Sequence, residues 1–228
     1  MKTRWFIRLL SASILLLVVS ALALASQGVA VNAQATAVAT SAAPPPPSKM
    51  RWDIINFLTN AAGDTFTVAP GGVFSASAND GSTITYTGTG TFGPRPSDPV
   101  TGGGTWATTD PSDNPVANGN YTVTGFVSFA WDPTTLPAGI PLVDKVGDIK
   151  DASGGLATLT VAYTNKDGSA AGTGLLILSC RETNTNSIAE AVIGSMGTTL
   201  FYNPGLHIGQ PLPDGSSVFR ATWFQFLH

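Results

Sequence analysis

Few side chains in this sequence can do chemistry near neutral pH, and their spacing limits what that chemistry could be. Only His207 and His228 could serve as imidazole bases. His207 sits in FYNPGLHIGQPLP with no serine of the G-x-S-x-G kind to activate, and His228 is the last residue. His207 is therefore kept as a ligand-binding candidate and not as a catalytic base. Cys180 is the single cysteine, so no intrachain disulfide can form. Arg181 beside it could lower its pKa, but a free cysteine after an apolar run reads first as a small core residue. Pairing with a second chain is its other use. Two histidines and one cysteine do not make a common tetrahedral zinc site, and no metal or cofactor is assigned.

The carboxylates are no more suggestive. Paired acids for glycoside cleavage must sit about 5 to 9 Å apart, and the only two glutamates are Glu182 and Glu190. Asp110, Asp113, Asn114, Asn118 and Asn120 crowd one stretch as calcium donors would, but Pro111 and Pro115 break the EF-hand spacing, so a solvated loop is expected. Asp144, Asp148 and Asp151 alternate with Lys145 and Lys150, the pattern of a mixed exposed surface. Asn120-Tyr121-Thr122 is a glycosylation sequon. Trp106, and Trp131 beside Asp132, are the aromatic platforms on which a sugar or small apolar ligand could stack. No catalytic residue is assigned. Convergence of Glu182, His207 and Asp132 in one cleft would mark an enzyme.

The elements that must position these groups read as strands. TITYTGTGTFGPRPSDPVTGGGTW, residues 83–106, is a hairpin in which Thr83, Thr85, Thr87, Thr89 and Thr91 share one face. A one-strand ladder of this kind is an ordinary solvent face rather than an ice-binding array. In residues 121–131, Tyr121, Val123, Val127, Phe129 and Trp131 fall on one face, taken as core. Residues 50–58 and 217–227 are the first and last strands, and their pairing would bring Trp52 near Trp223. GLLILSC, residues 174–180, is apolar on both faces and so central. Residues 188–196 are the best place for a helix. About nine strand candidates separated by turn residues predict an all-β fold: a single antiparallel β-barrel of about eight or nine strands, with a sandwich as the other option.

Residues 1–33 have the layout of a signal peptide, with Lys2, Arg4 and Arg8 ahead of an apolar run over 9–24. Cleavage sites after Ala25 and Ala33 compete; left uncleaved, the segment would be an N-terminal membrane anchor. Without it, eight basic residues face fourteen acidic ones, a net charge of about −6, which disfavours nucleic acid. Residues 34–48, ending in Pro44-Pro45-Pro46-Pro47, are an Ala/Thr/Pro-rich linker to a single domain over 49–228. The domain is expected to be secreted or otherwise extracytoplasmic.

The words DGSTITYTGTGTF (80–92), VTGGGTW (100–106) and GLLILSC (174–180) resemble a group of secreted bacterial β-rich proteins without an assigned function. A fainter similarity is to the dirigent and allene oxide cyclase type of eight-stranded barrel, whose members also carry a G-T-G-x-F word before a turn. That similarity implies a barrel with a ligand-sized interior and transfers no catalytic residue. Three functions remain open: a non-enzymatic secreted domain that binds a small apolar ligand or a cell-envelope component, a cyclase or isomerase of the barrel type, and a carbohydrate-binding module using Trp106 or Trp131.

Overall fold

The computed structural model describes residues 49–132, 141–180, 190–204 and 210–227. The chain divides into Met1–Pro44, outside those residues, and Pro45–His228, which contains all of them. The expected signal segment and linker, His207, His228 and Glu182 lie outside the described residues.

Fifteen strands are described: β1 (Lys49–Thr59), β2 (Phe66–Ala69), β3 (Phe74–Ser77), β4 (Thr83–Tyr86), β5 (Thr89–Phe92), β6 (Thr101–Thr109), β7 (Pro115–Asp132), β8 (Leu142–Asp144), β9 (Ala152–Asn165), β10 (Ala170–Cys180), β11 (Ala191–Met196), β12 (Thr199–Phe201), β13 (Asn203–Pro204), β14 (Gln210–Pro211) and β15 (Ser217–Leu227). A single 3-10 turn, η1 (Ile149–Asp151), precedes β9, and no α-helix occurs among the described residues. The fold is all-β, as the turn chemistry and strand periodicity predict.

Starting at β1 and passing through β5, β6, β7, β9 and β15, the pairing returns to β1, antiparallel at every step. Six strands therefore close an antiparallel barrel, fewer than the eight or nine expected. The difference arises because long strands serve two neighbours in succession. β6 pairs β5 over residues 101–103 and β4 over 106–109, while β9 meets β15 at Ala152 and Ser153 and β10 from Gly155 onward. Above these forks the sheet continues through β3 and β4 on one side and β10, β11 and β12 on the other. Its two free ends, β12 and β13, are successive in sequence and joined by Tyr202 alone, so the chain itself bridges the remaining gap.

The first and last strands pair over their full length, from Lys49 opposite Leu227 to Thr59 opposite Ser217. Trp52 lies opposite Phe224 and Trp223 opposite Asp53, so the two tryptophans are neighbours on opposite faces of the sheet. Burial holds this barrel together: Trp52, Tyr86, Phe92, Leu159, Leu176 and Phe224 are all inaccessible, each contributing roughly 1.5–3 kcal/mol. Two ion pairs occur among the described residues, and the exposed Arg95–Asp98 pair adds little.

Three expectations are corrected. Val127 is 47% exposed and Trp131 42%, whereas Phe126 is buried. β7 slips register against β9 between Val123 and Gly125 and again between Phe126 and Ser128, so a strict period of two loses phase twice. Residues 191–196 form a strand and not a helix: β-branched Val192 and Ile193 pair with Leu178 and Ile177 on β10. The Thr face of β4 and β5 is also not a lone ladder. Thr87 bonds Thr105 (2.7 Å), Thr91 bonds Thr101 (2.8 Å), and Thr85 bonds Ser75 (2.8 Å).

Candidate functional site

The barrel interior is divided between phenylalanines and tyrosines. Inward positions of β5, β7 and β15 bring Phe92 against Phe126 (centroids 5.0 Å apart, 5° between planes), Phe129 (5.2 Å) and Phe224 (6.2 Å). Toward the β4 end, Tyr86, Tyr121 and Tyr163 cluster with Trp106. These rings pack against one another in the interior, and their hydroxyls are engaged. The Tyr163 hydroxyl donates to the Ser195 carbonyl (3.0 Å), which uses its only proton, so Tyr86 is the donor in the 2.8 Å Tyr86–Tyr163 bond. Tyr121 donates to the Thr87 carbonyl (2.8 Å).

Burial pushes the Tyr163 phenol up to about 12, with the bond from Tyr86 working weakly the other way. Burial also raises Tyr86 and Tyr121 well above the ordinary phenol range, and the approach of Tyr163 adds to both. All three are neutral hydrogen-bonding posts at neutral pH. A Cβ on Gly194 would lie 2.0 Å from the Tyr86 hydroxyl, so glycine at this position makes room for the phenol.

Trp106, a sequence candidate for ligand contact, is 2% exposed. Its indole N–H lies 3.1 Å from both the Asn120 and Thr164 carbonyls, tying β6 to β7 and β9. It is a structural residue. Trp131 is the candidate that faces solvent. It lies near the end of β7 opposite Gly155, its Nε1 donates to Ser153 Oγ (3.0 Å), and Ser153 donates in turn to the Gly154 carbonyl (3.1 Å). Phe226 packs edge-on against it at 6.3 Å. Phe226 is opposite Met50, one step from where β1 begins, so Trp131 stands at the mouth where the first and last strands meet.

The carboxylates serve the architecture. Asp53 is buried and forms an ion pair with Arg51, with Nε 2.7 Å from Oδ2 and Nη2 2.9 Å from Oδ1; the Oδ2 contact is one of charge rather than an aligned hydrogen bond. Asp144 accepts from the backbone of Val146 (2.7 Å) and Gly147 (3.0 Å) and from Trp223 Nε1 (3.1 Å) and Gln225 Nε2 (2.7 Å). It straps the segment after β8 across β15. Asp148 caps the 3-10 turn η1, which ends in Asp151, by accepting from the Lys150 backbone. Glu190 accepts from the backbone N–H of Thr222 (2.9 Å), whose hydroxyl is also 2.6 Å from the Ser179 carbonyl. Thr222 thereby ties β15 to β10, held in place by Glu190 just before β11.

In the loop after β6, Asp110 is satisfied by Ser112 and Asn114, and the Asn114 side chain holds its carboxyl below the usual carboxylate range. Cys180 is buried. No three of histidine, cysteine and carboxylate groups gather as metal ligands would among the described residues. Of the three sequence candidates for ligand contact, the structure exposes Trp131, buries Trp106, and leaves His207 outside the described residues.

No protein-family model, curated protein or solved structure matches the chain.

Proposed function

We propose that residues 49–228 form an extracytoplasmic, non-catalytic β-barrel domain that holds a small ligand with a flat apolar face against Trp131 at the barrel mouth. Trp131 carries this reading: a 42% exposed indole whose orientation is already fixed by Ser153 and Phe226. A ligand that stacks there pays little ordering entropy, because the side chain is held before binding. The stacked phenylalanines and bonded tyrosines leave the interior to packing, which favours the mouth over the barrel lumen as the contact. The non-catalytic part draws support from the carboxylates, which are engaged as caps, straps and ties. Extracytoplasmic placement draws on the basic and apolar pattern of residues 1–33.

The apolar face of a sugar ring and a small aromatic both match an indole platform. The test titrates the exported protein with cellohexaose and, separately, with 1-anilinonaphthalene-8-sulfonate, following intrinsic and dye fluorescence. The reading expects saturable binding of one probe that Trp131→Ala weakens at least tenfold with an unchanged far-UV spectrum. Binding that survives Trp131→Ala, or no saturable binding of either probe, would rule the mouth out.

A further inference from the structure

Three hairpin loops in this chain are built to one plan. Asp80-Gly81-Ser82 joins β3 to β4, Asp167-Gly168-Ser169 joins β9 to β10, and Asp214-Gly215-Ser216 joins β14 to β15. Their glycines have φ of +84°, +86° and +82°. Each glycine N–H donates to the carbonyl three residues back: Gly81 to Ala78 (3.1 Å), Gly168 to Asn165 (2.9 Å), Gly215 to Leu212 (3.0 Å). The serine then clamps the aspartate twice through one oxygen. Its N–H lies 2.9, 2.9 and 3.0 Å from Oδ1 in the three loops, and its hydroxyl 2.6, 2.6 and 2.5 Å. These are all the Asp-Gly pairs in the sequence, and serine follows every one.

Asp-Gly is a reactive pair. With no side chain on the glycine to hinder it, the glycine nitrogen can attack the preceding aspartate Cγ. A C–N bond forms, the nitrogen loses its proton and water leaves, giving a succinimide. Water then opens either carbonyl and returns aspartate or isoaspartate, with no net change in mass. The attack needs a protonated carboxyl, a free amide nitrogen and a rotation that carries Cγ onto that nitrogen. In these loops the Ser82, Ser169 and Ser216 hydroxyls hold the three carboxyls below the usual range, as the ionised form that is a poor electrophile. The same bonds fix the carboxylate, and the turn occupies the glycine N–H.

We infer that Asp80, Asp167 and Asp214 are latent isoaspartate sites, each held unreacted by the serine two residues on. Isomerisation would insert a side-chain carbon into the backbone of a tight turn and unseat the strand that follows: β4, β10 or the barrel stave β15.

The full chain is incubated at 37 °C and neutral pH for weeks, and isoaspartate is counted at each site by peptide mapping with electron-transfer fragmentation. Samples are the wild type, the same chain in urea, and Ser82→Ala, Ser169→Ala and Ser216→Ala. The inference expects slow conversion in the folded wild type and fast conversion in urea. Each alanine variant should convert several-fold faster at its own site alone. Equal rates folded and in urea, or alanine variants that match the wild type, overturn it. If an alanine variant loses its fold, shown by all three sites rising together, Ser→Thr at that position decides: retained protection supports the hydroxyl's role and lost protection overturns it.

Discussion

Removing one hydroxyl from the Tyr86–Tyr163 pair should have very different consequences depending on which one is removed. The Tyr163 proton goes to the Ser195 carbonyl, so Tyr86 must donate to Tyr163. In Tyr86→Phe, Tyr163 loses an incoming donor and keeps its own bond, a net loss of about 1 kcal/mol. In Tyr163→Phe, the Tyr86 O–H is left without an acceptor in a fully buried position, which adds roughly 1–3 kcal/mol to the lost bonds. Tyr163→Phe should therefore cost about 2 kcal/mol more than Tyr86→Phe. In a domain of this size that corresponds to roughly 4–8 °C in Tm. The double variant removes the orphan donor and should be no less stable than Tyr163→Phe alone. Urea unfolding followed by tryptophan fluorescence, with the slope unchanged between variants, reads this directly. Equal losses for the two single variants, or losses that add in the double, would refute the donor order.

The same cluster predicts alkaline sensitivity. Burial lifts Tyr163 from 10.0 to about 12, so its contribution is whole below pH 10 and fades as pH rises through 12, a loss of about 2–3 kcal/mol in all, of which about two thirds should appear in urea unfolding between pH 9.5 and 11.5 and shrink in Tyr163→Phe. Gly194→Ala places a methyl 2.0 Å from the Tyr86 hydroxyl and should destabilise by about 1–3 kcal/mol in urea unfolding, less so when combined with Tyr86→Phe, which removes the clashing oxygen. Asp113 holds φ of +63°, where its side chain is strained, so Asp113→Gly should be neutral or stabilise by up to about 1 kcal/mol in urea unfolding.

What could be read in the sequence was what depends on neighbours in the chain. Thr83 to Thr91 kept their shared face because nothing in that run changes the phase of the pleat: β4 and β5 are separated only at Thr87 and Gly88, and both pair with β6 in one continuous register. The strand character of the outermost segments was legible from their aromatic and β-branched content, whereas their pairing is a contact between the two ends of the domain that no local pattern encodes. The two register slips in β7 were not, because a bulge is set by its partner strand and Gly125 is the only local hint. That hid the burial of Phe126 and misplaced Val127. Trp106 looked available because its enclosure depends on carbonyls 14 and 58 residues away. Asp144 offered no local pattern for the same reason: Trp223 and Gln225, its partners, are about eighty residues further along. Alanine and glutamate argued for a helix over 188–196, and over 191–196 the waiting edge of β10 outweighed them.

The domain contains four tryptophans, Trp52, Trp106, Trp131 and Trp223, and each gives one indole N–H signal in a proton–nitrogen correlation spectrum. Titrating the labelled protein with whichever of the two probes saturates should shift the Trp131 signal first and furthest, leaving buried Trp52 and Trp106 in place. Movement of Trp52 or Trp106 while Trp131 stays still would put the ligand inside the barrel and contradict a mouth-bound ligand.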